Sequence, residues 1–250
     1  MNTTENMFWG DINDVVRFTE NTEENKGKSA RKTSSVILAA VQLMENFIKG
    51  IKSLSAYEAA SLIVSETYWL KKNRETSYRD ENGKQKNLEV GMVYYIDYGK
   101  TFAGELAYKH YGLCIGKREG KPLIIPMTSG KDYIANCYHP VKNPNKNKKY
   151  RQALKSEGFS KDCVLLMDDA RFLSAGRIER EDVKINEDIL KEIQLHFFRL
   201  SHPDFYQEYV NLQKKSEKNK EEIQKLKAEN NQLKQKLKHQ SKTLDNAQQE

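Results

Sequence analysis

Residues Gly104 to Thr128, GELAYKHYGLCIGKREGKPLIIPMT, set an acid, an imidazole and a hydroxyl around two apolar runs of strand character. An imidazole titrates near neutrality, so His110 can accept or donate a proton at physiological pH. A positioned group of that kind contributes roughly 10²–10⁴ in rate. Thr128 adds a hydroxyl donor, and Glu105 adds a carboxylate able to orient a neighbouring base or cation. Polar groups at the ends of short apolar strands are how a small barrel presents a cleft. The same residues also fit a structural role, with His110 packed between Tyr108 and Tyr111 and Thr128 closing a strand. The remaining histidines, His139, His196, His202 and His239, have no cysteine or carboxylate at metal-ligand spacing, so no zinc site is expected. No glycine-rich phosphate loop occurs, which argues against ATP or dinucleotide chemistry; no cofactor is expected.

The elements that must position these groups follow from apolar spacing. Ile37, Val41, Met44, Ile48 and Ile51 recur at one helical face, predicting a helix over 33–52. Ser55 and Glu58 form a capping-box pattern ahead of a second helix ending near Leu70, and the short connection predicts an antiparallel helical hairpin. An apolar patch at Phe8, Trp9, Val15, Val16 and Phe18 allows a short helix at most. Residues 71–87 are polar enough to read as a linker. Beyond them, Met92–Tyr98, Tyr111–Ile115, Leu123–Met127 and Cys163–Met167 are short runs of β-branched and aromatic residues, predicting a small barrel or strongly bent sheet. After Arg180 the chain reads as a helix with Ile185, Ile189, Ile193, Phe197 and Leu200 against the barrel. In the tail, Ile223, Leu226, Asn230, Leu233 and Leu237 alternate at heptad a and d positions, with Leu244 one heptad later. That predicts a short coiled coil, and Asn230 at an a position suits two parallel strands. The alternative is a single solvated helix.

Composition bounds the setting. The 250 residues are 38% hydrophobic and carry a net charge of +7, with a mean hydropathy of -0.82 and a pI near 9.0. Such a balance favours polyanionic partners, although excess lysine also serves solubility. Residues 142–151, KNPNKNKKYR, gather lysine and arginine without an acid, as phosphate contact requires, though a solvated loop has the same look. Three cysteines, two of them in apolar runs, suggest a reducing, cytoplasmic location. The longest apolar stretch, 36–44, falls short of the roughly 20 residues that a spanning helix needs, so no membrane association is expected.

The central segment resembles the PemK/MazF type of toxin endoribonuclease. GMVYYIDYG resembles the family's first strand; GELAYKHYGLCI its loop and second strand; LIIPMTS its third-strand motif; and LMDDARFLSAGRI its acid, spaced basic residue and closing arginine. The matches run from Gly91 to about Leu200. The resemblance implies an α+β chain built on a small SH3-like barrel with a packed helix, over 88–203, flanked by a helical extension over 1–87 and a coiled-coil tail over 204–250. It implies metal-independent cleavage of single-stranded RNA by internal attack of the 2'-hydroxyl. The implied catalytic residues are His110 as proton shuttle, Thr128 and Arg171 as stabilisers of phosphorane charge, and Glu105 or Asp168 as orienting acids. Ser129, Arg177, Lys109, Lys148 and Lys149 would contact RNA. His110 departs from the pattern, because the family has an arginine there and a proline in place of Tyr111. Implied partners are an antitoxin, of protein or RNA, and a second copy through barrel or coil. A barrel that binds RNA or protein without cleaving it is the alternative.

Overall fold

The computed structural model describes residues 13–102 and 104–247; Phe8 and Trp9 of the N-terminal apolar patch lie outside them. Contacts divide the chain into two units, Met1–Glu75 with Asp97–Lys109, and Thr76–Ile96 with His110–Glu250.

In the first unit, short helices α1 (Asn13–Val16) and α2 (Glu23–Gly27) precede α3 (Ser34–Ile51) and α4 (Ala56–Lys72). The capping box opens α4 as its sequence requires. The Ser55 hydroxyl accepts the Glu58 N–H at 3.2 Å, and the Glu58 carboxylate accepts the Ser55 N–H at 3.0 Å. Both helices form, with much of their apolar surface exposed. Leu38, Val41, Met44 and Ile48 of α3, and Ile63, Val64 and Leu70 of α4, remain exposed. The face of α4 that is buried carries Leu62 and Ser65, and the Ser65 hydroxyl donates to Asp97 Oδ1 at 2.7 Å. That carboxylate oxygen also accepts the Gly99 N–H at 2.8 Å, which bends the chain after Asp97. Tyr68 is flanked by the ammonium groups of Lys72 and Lys109, at 5.1 and 5.3 Å from its ring centre.

The second unit is built on one mixed sheet of eight strands. They are β1 (Met92–Asp97), β2 (Lys109–Arg118), β3 (Lys121–Thr128), β4 (Cys137–Tyr138), β5 (Asn147–Ala153), β6 (Cys163–Leu166), β7 (Arg171–Phe172) and β8 (Ile178–Lys184). The order is β4-β5-β6-β3-β2-β1-β8, with β7 paired to β3. β3 is the pivot: Leu123 and Ile124 pair with β7, whereas Met127 and Thr128 pair with β6. The sheet is not closed. β4 and β8 stand at its two ends, and β4, only two residues long, runs parallel to β5. The result is an α+β unit with an open sheet, where a small barrel or strongly bent sheet is expected from the sequence.

One face of the sheet packs on α6 (Glu187–Ser201). Val93, Leu113, Ile115, Ile125, Met127 and Leu165 meet Leu190 and Ile193 in a continuous core, each side chain worth roughly 1.5–3 kcal/mol of transfer energy. The helix starts at Glu187, not at Arg180. Asn186 caps it by accepting the Asp188 N–H at 2.9 Å, and residues 178–184 instead extend as β8 with every second side chain more buried. Two further expectations are corrected. The polar 71–87 stretch holds a buried residue, Tyr78, whose ring packs edge-on against Tyr94 at 5.9 Å, so it is not wholly a linker. Composition averages over a single aromatic anchor. Likewise the basic 142–151 segment is not only solvated loop: its second half is β5, and Arg151 is completely buried.

The last helix, α7 (Pro203–Ala247), is 45 residues long. Among the described residues, no helix is long and apolar enough to cross a membrane.

Candidate functional site

The hairpin of β2 and β3 places the first two candidate residues. Glu119 and Gly120, with φ of 51° and 79°, form the two-residue turn that matches strand twist, and Arg118 pairs with Lys121 across it. Such a turn sets the register of everything beyond it. Pairing continues to Gly116 and Leu123, and then shifts by one residue, so that Cys114 faces Ile124. The extra residue in β2 is Ile115. A bulge leaves a carbonyl out of the ladder, and Gln194 of α6 satisfies it, donating to the Ile115 carbonyl at 2.7 Å. The Cys114 thiol bridges the bulge to the Gly116 carbonyl at 3.3 Å. Gly112 then pairs with Pro126, and His110 and Thr128 lie two residues beyond that pair, at the open end of the hairpin.

His110 is largely enclosed. Burial lowers its pKa from the ordinary imidazole value, and a hydrogen bond to the Met127 backbone partly offsets this. The ring therefore stays neutral at pH 7, the form in which it can take a proton. Thr128 ends β3, paired with Val164 of β6. Its Oγ1 accepts the Gly130 N–H at 3.2 Å, leaving the hydroxyl proton as a donor.

Gly130 caps the short helix α5 (Lys131–Asn136), which carries Tyr133. A side chain at Gly130 would meet the Tyr133 ring at 3.2 Å and Thr128 Oγ1 at 3.6 Å, so the three groups are adjacent. The Tyr133 ring in turn stands edge-on to Tyr150 of β5, with centroids 5.0 Å apart. Burial raises the Tyr150 phenol, and the nearby Asp168 charge adds to it. Asp168 is exposed and pairs with Lys149 at 3.7 Å. A strip thus runs through Thr128, Tyr133, Tyr150, Asp168 and Lys149, with His110 at the same end of the hairpin, combining two aromatic rings with a histidine, a hydroxyl and a cation.

The other candidates are placed differently. Arg171 of β7 is half-buried and lies 3.6 Å from Asp169, so its charge is partly compensated. Arg177 ends a single helical turn, Ala175–Arg177. Ser129 is exposed beyond β3, and Lys148 is exposed while its carbonyl bonds His196 at 2.7 Å. Glu105 and Lys109 belong to the first unit, where Glu105 is exposed and Lys109 lies over Tyr68.

Sequence reasoning missed the two tyrosines, Tyr133 and Tyr150. Their signal was the YR ending of the basic segment and the aromatic in KDYIAN, neither distinctive alone. It also missed the reason Arg151 is buried. Its guanidinium is clasped by Glu157 through two bonds of 2.7 Å, by Glu192 through Nε at 3.1 Å, and by the Gln152 carbonyl. His139 stands on the other side of Glu157 at 3.4 Å, with its Nδ1 accepting the N–H groups of Val141 and Lys142. This network ties β5, which carries Lys148, Lys149 and Tyr150, to α6. A second missed group is the Arg180 guanidinium, 4.2 Å over the Tyr95 ring and donating to the Tyr111 hydroxyl at 3.1 Å. Among the described residues, no three His, Cys, Asp or Glu side chains stand together so as to hold a metal ion. In comparison with known proteins, no family model matches the chain, and neither does any curated protein.

Proposed function

We propose that the second unit binds single-stranded RNA along the strip from His110 to Lys149 and cleaves it without a metal, as a PemK/MazF-like toxin endoribonuclease of a toxin-antitoxin or phage-defence system. The observation that carries this reading is the hairpin of β2 and β3, which brings His110, its pKa lowered by burial, to the same end as the Thr128 hydroxyl, itself beside Tyr133 and the edge-on ring of Tyr150. His110 takes the 2'-proton. The 2'-oxygen then attacks phosphorus, the bond to the 5'-oxygen breaks, and that oxygen takes the proton back from the His110 imidazolium, giving a 2',3'-cyclic phosphate and a 5'-hydroxyl. Thr128 and Lys149 donate to the charge that builds on phosphorus, with Arg171 and Arg177 behind them. Tyr133 and Tyr150 offer ring faces and edges to unpaired bases, each contact worth roughly 1–3 kcal/mol. Lys148 and Ser129 extend the phosphate track, and Asp168 orients Lys149.

In this reading the bent sheet pivoting on β3 is an opened SH3-like barrel, the tail is one strand of a coiled coil, and an antitoxin restrains the enzyme. Three free, buried thiols support a cytoplasmic setting. One observation favours the non-catalytic alternative: Lys149 and Arg171 are already paired with Asp168 and Asp169, so fewer cations remain for a transition state than for a simple binding groove. The test is incubation of the purified chain with single-stranded RNA and mapping of the ends. Cleavage to cyclic phosphate, reduced at least 100-fold by His110→Ala and by Thr128→Ala, is the expected result. RNA bound without product, or both variants cutting normally, would remove the catalytic reading.

A further inference from the structure

The heptad frame of the tail runs further along α7 than its apolar residues alone suggest. Counting from Ile223 as a, the a and d positions are Tyr209, Leu212, Ser216, Asn219, Ile223, Leu226, Asn230 and Leu233, and the sequence continues the seam at Leu237 and Leu244. Leu212, Ile223, Leu226 and Leu233 each leave more than half of their surface exposed. That is a one-sided apolar stripe on a continuous helix of 45 residues. Tyr209 is the exception, because its ring packs on Phe198 of α6, with centroids 6.3 Å apart, within the same chain. The free seam therefore begins past Tyr209, and with Ser216 and Asn219 polar its apolar part starts at Ile223.

The flanking charges decide what covers it. Position g holds Lys215, Glu222, Glu229 and Lys236, and position e holds Lys220, Lys227 and Lys234, with Ser241 across from Lys236. In a parallel, in-register pair, g of one helix meets the e position five residues on in the other. Glu222 then meets Lys227 and Glu229 meets Lys234, each twice by symmetry, giving four opposite-charge pairs. Lys215 against Lys220 is the one like-charge pair in this arrangement. In an antiparallel pair e meets e, and every e position from 220 to 234 is a lysine. The core agrees with the charges. Two copies of Asn230 at a face one another only when the helices are parallel and in register, where their amides can bond each other; against an apolar a residue each would be an unpaired polar group.

We infer that the seam of α7 is an interface with a second copy of this chain, formed as a parallel, in-register two-stranded coiled coil from Ile223 onward. Both copies of the second unit then enter the coil from the same end. Two strips of basic and aromatic residues would share one partner, raising the effective concentration of the second contact once the first has formed. The dimer does not depend on RNA cleavage.

Sedimentation equilibrium of the full chain tests it, with mass followed from nanomolar to about 100 µM against the 29.0 kDa of one copy. The expected result is a reversible dimer. Lys227→Glu with Lys234→Glu turns four attractive pairs repulsive, raising the dimer Kd roughly 10- to 100-fold. Adding Glu222→Lys and Glu229→Lys restores the original Kd. These are exposed positions on a solvated helix, so the fold is not at stake, and circular dichroism checks it. Mass staying at one copy throughout, or assemblies larger than two, would overturn the inference. So would a tighter dimer in the double lysine variant, the signature of antiparallel helices relieved of e–e repulsion. A dimer indifferent to all four substitutions would place the interface elsewhere and equally refute it.

Discussion

Replacing Arg151 by methionine isolates the buried charge network that holds β5, and with it Lys148, Lys149 and Tyr150, in place. The guanidinium is fully buried and makes four of its bonds to Glu157 and Glu192. Methionine fills much of the volume but leaves Glu157, one-tenth exposed, without its cation. Removing one partner of a buried pair costs about 3–5 kcal/mol, because the remaining charge stays in a poor solvent. The Leu154 N–H still bonds Glu157 at 3.0 Å, so the lower half of that range is expected. The pH dependence gives the argument its sharper edge. Burial is the largest influence on Glu157 and works to raise its pKa, but the hydrogen bonds and charge of Arg151 outweigh it, holding the carboxyl below its ordinary value of 4.5. A depressed carboxyl contributes stability that is complete above the ordinary value and is lost as the pH falls through the folded one. In Arg151→Met burial is opposed only by the Leu154 N–H and by His139, the lesser influences, so the carboxyl moves up. A raised carboxyl acts in the opposite sense, and the variant regains stability as the pH falls and Glu157 protonates. The gap between the two proteins should therefore be widest at pH 7.5 and close toward pH 4.5. Urea melts at both pH values measure it, with an unchanged m-value showing that the same surface unfolds. Arg151→Met with Glu157→Leu, which removes the orphan as well, should recover half of the loss or more. A cost under about 1 kcal/mol at pH 7.5, or a gap that widens in acid, would refute the reasoning.

Three further outcomes follow from the same structure. If His110 is the base, its lowered pKa makes the rate of RNA cleavage rise with pH through a midpoint below 6.5 and then level off; a midpoint above 6.5 in a pH–rate profile would exclude that role. Gln194→Leu strips the bulge carbonyl of Ile115 of its partner, so urea melts should show a loss of about 1–3 kcal/mol, and a change within 0.5 kcal/mol or so would mean that the carbonyl finds another donor. Burial pushes the Cys114 thiol up to about 11 and the Cys163 thiol up to about 12. Neither should react with a thiol reagent at pH 8 until the protein unfolds, and fast labelling of both in the native state would contradict their burial.

How much of this was legible in the sequence depended on whether a feature is local. The Ser55–Glu58 box, the face of α3 and the apolar runs of β1, β2, β3 and β6 depend on neighbours within a few residues, and all are present. β8 was missed because IEREDVK carries charge at five of its seven positions, so the alternation that makes it a strand is hidden by composition. β5 was missed for a related reason: its lysines are those of a solvated loop, and only a distant pair of acids, Glu157 and Glu192, makes it possible to bury Arg151. For the candidate site, residue types were visible, but their juxtaposition was not. His110 and Thr128 are eighteen positions apart, and the register of the hairpin that carries both turns on one extra residue at Ile115, which no spacing rule contains. The bulge in turn needs Gln194, some eighty positions on, to satisfy the carbonyl it frees. The state of the histidine likewise comes from packing: burial lowers its pKa and a hydrogen bond to the Met127 backbone holds against that shift, and neither influence can be read from the residues beside it in the chain.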